Sequence, residues 1–143
     1  MVSPLRLTVT MKLSTQTRQT SRMLLVEDEP AVLGALKKYF TCAGYDVDCA
    51  RELEEAEALI ASYAYDVIIA DLRLSGTYAV EGLEILRFVR EYSRRTRVVI
   101  LTAHTAPEIQ RSARALGAEA FLPKPTPLSD IAATIGRVMG VAS

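Results

Sequence analysis

The chain has 143 residues, the usual length of one domain, and half of them are apolar, which excludes broad disorder. Its 17 basic and 17 acidic residues balance to zero net charge, which argues against binding nucleic acid or an anionic membrane through general charge. No apolar run reaches the roughly 18 residues of a membrane-spanning helix.

The first 21 residues contain no acidic residue and differ in pattern from the rest. From Leu5 to Leu13, apolar and polar residues alternate, which is typical of an amphipathic strand. A secretory signal is excluded because a continuous apolar stretch is missing. Two hypotheses stay open: residues 1–21 are a disordered leader, or they add a strand to an exposed sheet edge, in the same molecule or a neighbour.

Residues 22–143 form the predicted domain, in which apolar runs alternate with segments of helical periodicity. The apolar or alternating runs predict strands over residues 23–26, 45–49, 67–70, 98–101 and 120–123. The periodic segments predict helices over residues 31–43, 52–62, 81–92, 107–116 and 128–139. This alternation predicts a doubly wound α/β domain with right-handed crossovers. Pro123 has no amide to donate, so the last strand should lie at a sheet edge.

Polar residues stand at or just after the carboxyl ends of four predicted strands, where an open parallel sheet forms its crevice. They are Glu27, Asp28, Asp71, Thr102 and Lys124. Three crowded carboxylates repel one another and favour a hard divalent cation such as Mg²⁺. A carboxylate can attack phosphorus, while an ammonium and a hydroxyl suit phosphoryl oxygens. The set predicts phosphoryl transfer onto Asp71.

Each of these residues also has a purely structural interpretation. The acids after the first strand could charge a helix N-terminus, and Asp71 could end a turn. Thr102 could bond to loop backbone, and Lys124 could pair with a surface acid. Coincidence at four strand ends at once is improbable, which favours the functional interpretation of the whole set.

Four strings together resemble the receiver domain of the response regulator family of two-component signal transduction, chemotaxis-regulator-like, over about residues 21–141. They are LLVEDEP, VIIADLRL, VVILTAHT and GAEAFLPKP. The resemblance implies a flavodoxin-like fold with five parallel strands in the order 2-1-3-4-5. It implies Asp71 as phosphoacceptor and Mg²⁺ as cofactor, held by Glu27, Asp28, Asp71 and the backbone carbonyl of Arg73.

The same resemblance assigns roles near the last two strands. Thr102 matches the switch hydroxyl, Lys124 the phosphate-binding lysine and Phe121 the rotameric aromatic residue. The bond between Lys124 and Pro125 matches the family's cis peptide, which only X-Pro bonds adopt at low energy. Phosphorylation would then change the face built by the fourth helix, the last strand and the final helix.

The implied function is a phosphorylation-controlled signalling module rather than a conventional enzyme, catalysing only its own phosphorylation and dephosphorylation. Its expected partners are a sensor histidine kinase or histidine phosphotransfer protein and a downstream protein target, with no direct nucleic acid or membrane contact. A homodimer stays open, and the module is expected to be a stand-alone or excised receiver without an output domain. A cytoplasmic location is expected, with Cys42 and Cys49 reduced and buried rather than joined in a disulfide.

Three features depart from the family pattern. The loop after Asp71 lacks the usual Met-Pro and is longer before Gly82. Phe121 lacks the hydroxyl that a tyrosine would bring. Arg73 and His104 stand two residues after Asp71 and Thr102, at positions that look like tuners of dephosphorylation; the alternative is that both are solvated loop residues.

Other classes fit the strand-end residues less well. A phosphohydrolase of the haloacid dehalogenase type needs a second acid where Arg73 stands, and arginine cannot donate that proton. A flavodoxin-like cofactor carrier needs a phosphate loop after the first strand, where residues 27–29 would repel phosphate. A degenerate receiver that only binds partners would not need the complete acidic set.

Overall fold

The computed structural model describes residues 20–72 and 80–140, and within them five strands alternate with five helices. The strands are β1 (Arg22–Val26), β2 (Asp46–Ala50), β3 (Val67–Ala70), β4 (Arg97–Thr102) and β5 (Ala120–Pro123). The helices are α1 (Pro30–Cys42), α2 (Leu53–Ser62), α3 (Val80–Tyr92), α4 (Pro107–Ala115) and α5 (Leu128–Val138). The predicted elements are confirmed. The proposed N-terminal strand and the Arg73 carbonyl lie outside the described residues.

The five strands form one parallel sheet in the order β2-β1-β3-β4-β5, as the family resemblance implies. The central strands consist almost entirely of buried apolar residues, because helices cover both faces of the sheet. β5 is an edge strand, as Pro123 predicted, and Pro123 lies opposite Thr102 of β4.

Alternate residues of each strand point to opposite faces of the sheet and pack in two separate cores, one on each face. On β1, Met23 and Leu25 pack with the buried residues of α1 and α5, such as Phe40 and Ile135. Leu24, also on β1, packs toward α2 and α3 on the opposite face. The burial of both faces leaves the two sheet edges and the strand ends as the places where polar groups can gather.

Gly44 and Gly117 end helices in the left-handed backbone region that favours glycine. Gly44 has φ +101° after α1, and Gly117 has φ +98° after α4. At Gly117 a side chain would also meet Arg90, whose guanidinium donates to the carbonyls of Ser93, Thr96 and Gly117. Arg90 therefore ties the end of α3 to the turns that precede β4 and β5.

Two further expectations are settled by the fold. The peptide bond between Lys124 and Pro125 is cis, as expected. The expectation that both cysteines are buried is wrong for Cys42, which is exposed because it lies away from the side of α1 that buries Leu36 and Phe40, while Cys49 is half-buried. Over residues 20–72 and 80–140, no helix is both long and apolar enough to cross a bilayer.

Candidate functional site

Strand register brings the predicted polar residues together at one edge of the sheet. Val26, the last residue of β1, lies beside Ala70, the last residue of β3, and Ala70 lies beside Ile100 of β4. The residues that follow these strands therefore converge. They line a cleft of about 230 Å³ that comprises Asp28, Glu29, Asp71, Thr102, Ala103, His104 and Lys124.

The three predicted metal ligands that the structure describes form one carboxylate cluster. Glu27, Asp28 and Asp71 each offer an oxygen, and these oxygens all lie within 4.8 Å of one another. The side chains of Glu27 and Asp71 are only 3% and 7% exposed. The N–H of Asp71 donates to the carbonyl of Val26 at 3.0 Å, which holds this acid in line with β1.

Lys124 is the cation that faces this cluster. Its ammonium nitrogen lies 2.8 Å from a carboxylate oxygen of Glu27, of Glu29 and of Asp71. Burial alone lowers the pKa of Lys124, but its hydrogen bonds to the three acids outweigh burial and hold that pKa above its ordinary value. Lys124 is therefore permanently charged and bridges the ends of β1, β3 and β5.

Burial acts in the opposite direction on the deepest acid. It raises the pKa of Glu27, and hydrogen bonds from Lys124 and from the N–H of Glu29 offset this only in part. The carboxylate thus lacks some of the stabilisation that it has in water. The ammonium of Lys124 carries one positive charge against the four carboxylates of residues 27–29 and Asp71, so the site favours an additional cation.

Glu29 is a site residue that the sequence reasoning did not select. It occupies the N-cap position of α1, yet its side chain makes no capping hydrogen bond and reaches Lys124 instead. Its position as the third acid in a row was the available signal. Lys124 thus does pair with an exposed acid, Glu29, as the structural interpretation expected, and it also contacts Glu27 and Asp71.

Thr102, at the end of β4, also lines the cleft and is fully buried. Its hydroxyl oxygen accepts a hydrogen bond from the N–H of His104 at 3.2 Å, so Thr102 does satisfy loop backbone. Its carbonyl accepts from the N–H of Lys124 at 2.9 Å. One backbone N–H thus bonds to the Thr102 hydroxyl and another to its carbonyl, which holds Thr102 at the cleft.

His104 lines the cleft and has a buried, unsatisfied ring nitrogen. Its Nε2 atom is buried and has no hydrogen-bond partner among the residues that the structure describes. A buried donor or acceptor without a partner is costly, which makes this nitrogen available to a group that enters the cleft. Arg73, the other predicted tuner, lies outside the described residues.

Phe121 is on β5, and its half-buried ring packs against the core on the face of α2, α3 and α4. It shares this environment with Leu116, which follows α4. The ring thus packs against the core beneath α4, one of the elements of the predicted signalling face.

The start of α3 is fixed directly behind Asp71. The N–H of Gly82 donates to the carbonyl of Leu72 at 3.0 Å, and Leu72 is fully buried. A Cβ atom at Gly82 would lie only 2.2 Å from the Cα of Leu72. No side chain fits at this contact, so only glycine allows α3 to pack this closely against the residue that follows Asp71.

The residues present fit a hard divalent cation. All three converging donors are carboxylate oxygens, the ligand type that Mg²⁺ prefers, and the cluster retains excess negative charge after Lys124 is counted. Lys124 and the buried Thr102 hydroxyl add positive and polar groups at the same cleft. Chemically, such a site can bind a cation together with a phosphoryl group.

Comparison with known proteins places the chain among signalling regulators. The family profile described as the response regulator receiver domain matches residues 23–136. The transcriptional regulatory protein QseB of Escherichia coli O157:H7 is 35% identical over 118 residues, which make up 82% of this chain and 52% of QseB. The transcriptional regulatory protein TrcR of Mycobacterium tuberculosis is 35% identical over 114 residues, 80% of this chain and 43% of TrcR. The chain therefore spans about half the length, or less, of these relatives.

Solved structures agree with this placement. The non-phosphorylated HemR receiver domain of Leptospira biflexa superposes with a TM-score of 0.78 at 28% identity, over 87% of this chain and 98% of that domain. Chemotaxis protein CheY4 of Vibrio cholerae superposes with a TM-score of 0.73 at 28% identity, over 83% of this chain and 98% of its own.

Proposed function

The chain belongs to the response regulator receiver domain family, the phosphoryl-accepting domains of two-component systems, and we propose that its phosphoacceptor is Asp71. The observation that carries this proposal is the 2.8 Å contact between Lys124 and Asp71 inside a cluster of three carboxylates. Asp71 lies at the centre of the sheet edge and is nearly buried, so its carboxylate is held in place before any donor arrives.

We propose Mg²⁺ as the cofactor, held by Glu27, Asp28, Asp71 and the backbone carbonyl of Arg73. The bound ion would supply positive charge that offsets the negative charge of the phosphoryl group during transfer. The side chains of Glu27 and Asp71 are kept in position by their backbone hydrogen bonds to neighbouring strands. Lys124 is already charged and hydrogen-bonded to Asp71, so its ammonium group would bind an oxygen of the phosphoryl group once Asp71 carries it.

The phosphoryl group would come from a phosphohistidine on a sensor histidine kinase or a histidine phosphotransfer protein. A carboxylate oxygen of Asp71 attacks phosphorus, the bond between phosphorus and the imidazole nitrogen breaks, and the imidazole takes up a proton from solvent. The product is an aspartyl phosphate.

The chain would catalyse only its own phosphorylation and dephosphorylation. We also propose a cytoplasmic location, where ATP supplies such a kinase.

The new charge would be read out through Thr102 and Phe121. The Thr102 hydroxyl lies at the cleft and can donate to a phosphoryl oxygen, which would draw it away from the N–H of His104. The ring of Phe121 then turns inward, and the face of α4, β5 and α5 changes. A downstream protein that binds the changed face more tightly shifts the equilibrium toward the changed conformation.

Direct contact with nucleic acid or membrane is not part of this proposal, and a homodimer through the same face is compatible with it.

We propose that Arg73 and His104 set the lifetime of the aspartyl phosphate. For His104 the support is its buried Nε2 atom at the cleft, where the ring would shield a phosphoryl group from water. His104→Ala removes the ring and should shorten the lifetime of the aspartyl phosphate several-fold. His104→Phe keeps a ring of similar size without its nitrogens, so comparing the two variants separates the effect of shielding from that of hydrogen bonding. Equal lifetimes in the parent, His104→Ala and Arg73→Ala would remove this role.

The proposal is tested by phosphorylation with a small donor. The purified chain is incubated with Mg²⁺ and acetyl phosphate beside Asp71→Asn and Asp66→Asn, and intact mass is recorded. Asp66 is the matched control because it precedes the same strand at the opposite end. One added phosphoryl group is expected in the parent and in Asp66→Asn, dependent on Mg²⁺, and none in Asp71→Asn.

The second candidate is a degenerate receiver that only binds partners, and a further titration distinguishes it. Beryllofluoride mimics the phosphoryl group and binds an intact site even when the aspartyl phosphate hydrolyses too fast to be seen. Absence of both a mass adduct and beryllofluoride binding would overturn Asp71 as phosphoacceptor and leave the degenerate receiver.

A further inference from the structure

The outer edge of β2 is open along its backbone. Among the described residues β2 pairs only with β1. The N–H of Asp46 and the carbonyl of Ala50 both bond toward the β1 side. Because backbone groups alternate in direction along a strand in a parallel sheet, those of Val47 and Cys49 point toward the open edge. Such an edge readily accepts another extended segment.

The two faces of this edge differ in chemistry. Val47 and Cys49 are half-buried and pack against the apolar core that α1 and α5 cover. Asp46 and Asp48 alternate with them on the other face, where Arg22 pairs with both. The helix on that face, α2, is acidic along its first turns, with Glu54 and Glu55. A strand that completes this edge needs one apolar row and one basic or neutral row.

Residues 5–13 have that pattern in sequence. Their odd positions are Leu5, Leu7, Val9, Met11 and Leu13, and their even positions are Arg6, Thr8, Thr10 and Lys12. We propose that residues 5–13 add to the outer edge of β2 as an antiparallel strand of the same molecule. The apolar row then extends the core beside Val47 and Cys49, and the basic row lies beside Asp46 and Asp48.

The length of the connection supports pairing within one molecule. Seven residues, 14–20, join this segment to Ser21 at the amino end of β1. Fully extended, they span up to about 25 Å, whereas crossing from β1 past β2 takes two strand spacings, or about 10 Å. A segment that approaches the amino end of β1 runs opposite to β1 and β2. The short tether gives a local concentration in the mM range, which favours the chain's own edge over a second copy.

The amide groups of Val47 and Cys49 report this pairing directly. Hydrogen exchange is compared in the full chain, in Leu7→Lys with Val9→Lys, and in the matched control Thr8→Lys with Thr10→Lys. We expect exchange at Val47 and Cys49 to be at least about tenfold faster in the first variant than in the parent, and unchanged in the control. The amides of Ile68 and Ile100, in central strands, serve as the reference that the fold is intact.

Alkylation of the two cysteines gives an independent readout. Cys49 should react faster when the apolar row is broken by the two lysines, whereas exposed Cys42 should react at one rate in all variants and serves as internal reference. Equal exchange at Val47 and Cys49 in the parent and in Leu7→Lys with Val9→Lys would overturn the proposal. Protection that falls on dilution, together with a dimeric mass, would assign the strand to a second copy instead. None of these readouts depends on phosphorylation of Asp71.

Discussion

The ammonium nitrogen of Lys124 lies 2.8 Å from Oδ2 of Asp71, although 53 positions separate the two residues in the chain. The same nitrogen contacts Glu27 and Glu29. Lys124 therefore acts as the counter-ion of the carboxylate cluster and competes for it with any bound metal ion.

Removing the charge of Lys124 should strengthen Mg²⁺ binding. In Lys124→Ala, the carboxylates lose a competing cation within contact distance, so we expect the Kd for Mg²⁺ to fall about tenfold. Lys124→Arg keeps the charge and should bind Mg²⁺ much as the parent does. Calorimetric titration measures both values, and an unchanged Kd in Lys124→Ala would contradict the competition.

Asp28 should be needed for Mg²⁺ to raise the free energy of unfolding of the chain. At a Mg²⁺ concentration of 100 times Kd, binding to the folded chain raises the free energy of unfolding by about 2.7 kcal/mol. Asp28→Asn removes one carboxylate of the cluster and should lose most of this gain at the same concentration. Glu29→Gln is the control, because Glu29 contacts Lys124 without belonging to the three converging ligands. Urea denaturation with and without Mg²⁺ gives both numbers, and an equal gain in the two variants would exclude Asp28 as a ligand.

Gly82 should tolerate no side chain. Its substitution by alanine places a methyl group against the backbone of Leu72, so we expect Gly82→Ala to lower the free energy of unfolding by about 1–3 kcal/mol. Gly34→Ala is the matched control, because Gly34 is an exposed residue inside α1 with no atom near the added methyl group. It should instead gain about 0.5–1 kcal/mol. Urea denaturation measures both, and equal effects would show that α3 does not pack tightly against Leu72.

Tyr65 should make stability fall at alkaline pH. Burial raises its pKa, and the hydrogen bond that its hydroxyl donates to Asp48 at 2.6 Å raises that pKa further. The native chain thus holds this proton more tightly than the unfolded chain. The stabilisation is complete below about pH 10, the pKa of the unfolded chain, and is lost as pH rises toward the native pKa.

Tyr65→Phe tests this assignment. At about pH 8 it should be less stable than the parent by about 1 kcal/mol, the usual contribution of one hydrogen bond. The difference should shrink above about pH 10, because only the parent loses stability through this group. Tyr92→Phe, at an exposed position, controls for general alkaline effects. A constant difference between Tyr65→Phe and the parent at all pH values would contradict the raised pKa.

Sequence reasoning predicted the elements well because each kind has a local signal. Val67–Ala70 is a short apolar run, and Gly44 and Gly117 mark helix ends through a backbone conformation that favours glycine. The carboxyl ends of parallel strands meet at one sheet edge, which was enough to predict that Asp71 and Thr102 share a cleft. The expected burial of Cys42 was wrong because it rested on residue type alone, whereas Cys42 lies away from the buried side of α1 that Leu36 and Phe40 form.

By itself, the sequence determined the alternation of strands and helices, the doubly wound class and the polar residues at the strand ends, because these follow from local periodicity and residue chemistry. Only the tertiary structure decided that Glu29 reaches Lys124, that Gly82 must lack a side chain and that Arg90 joins three carbonyl groups. Those facts depend on distances between segments far apart in the chain. Such distances are set by how the helices pack on the sheet, and no local pattern encodes them.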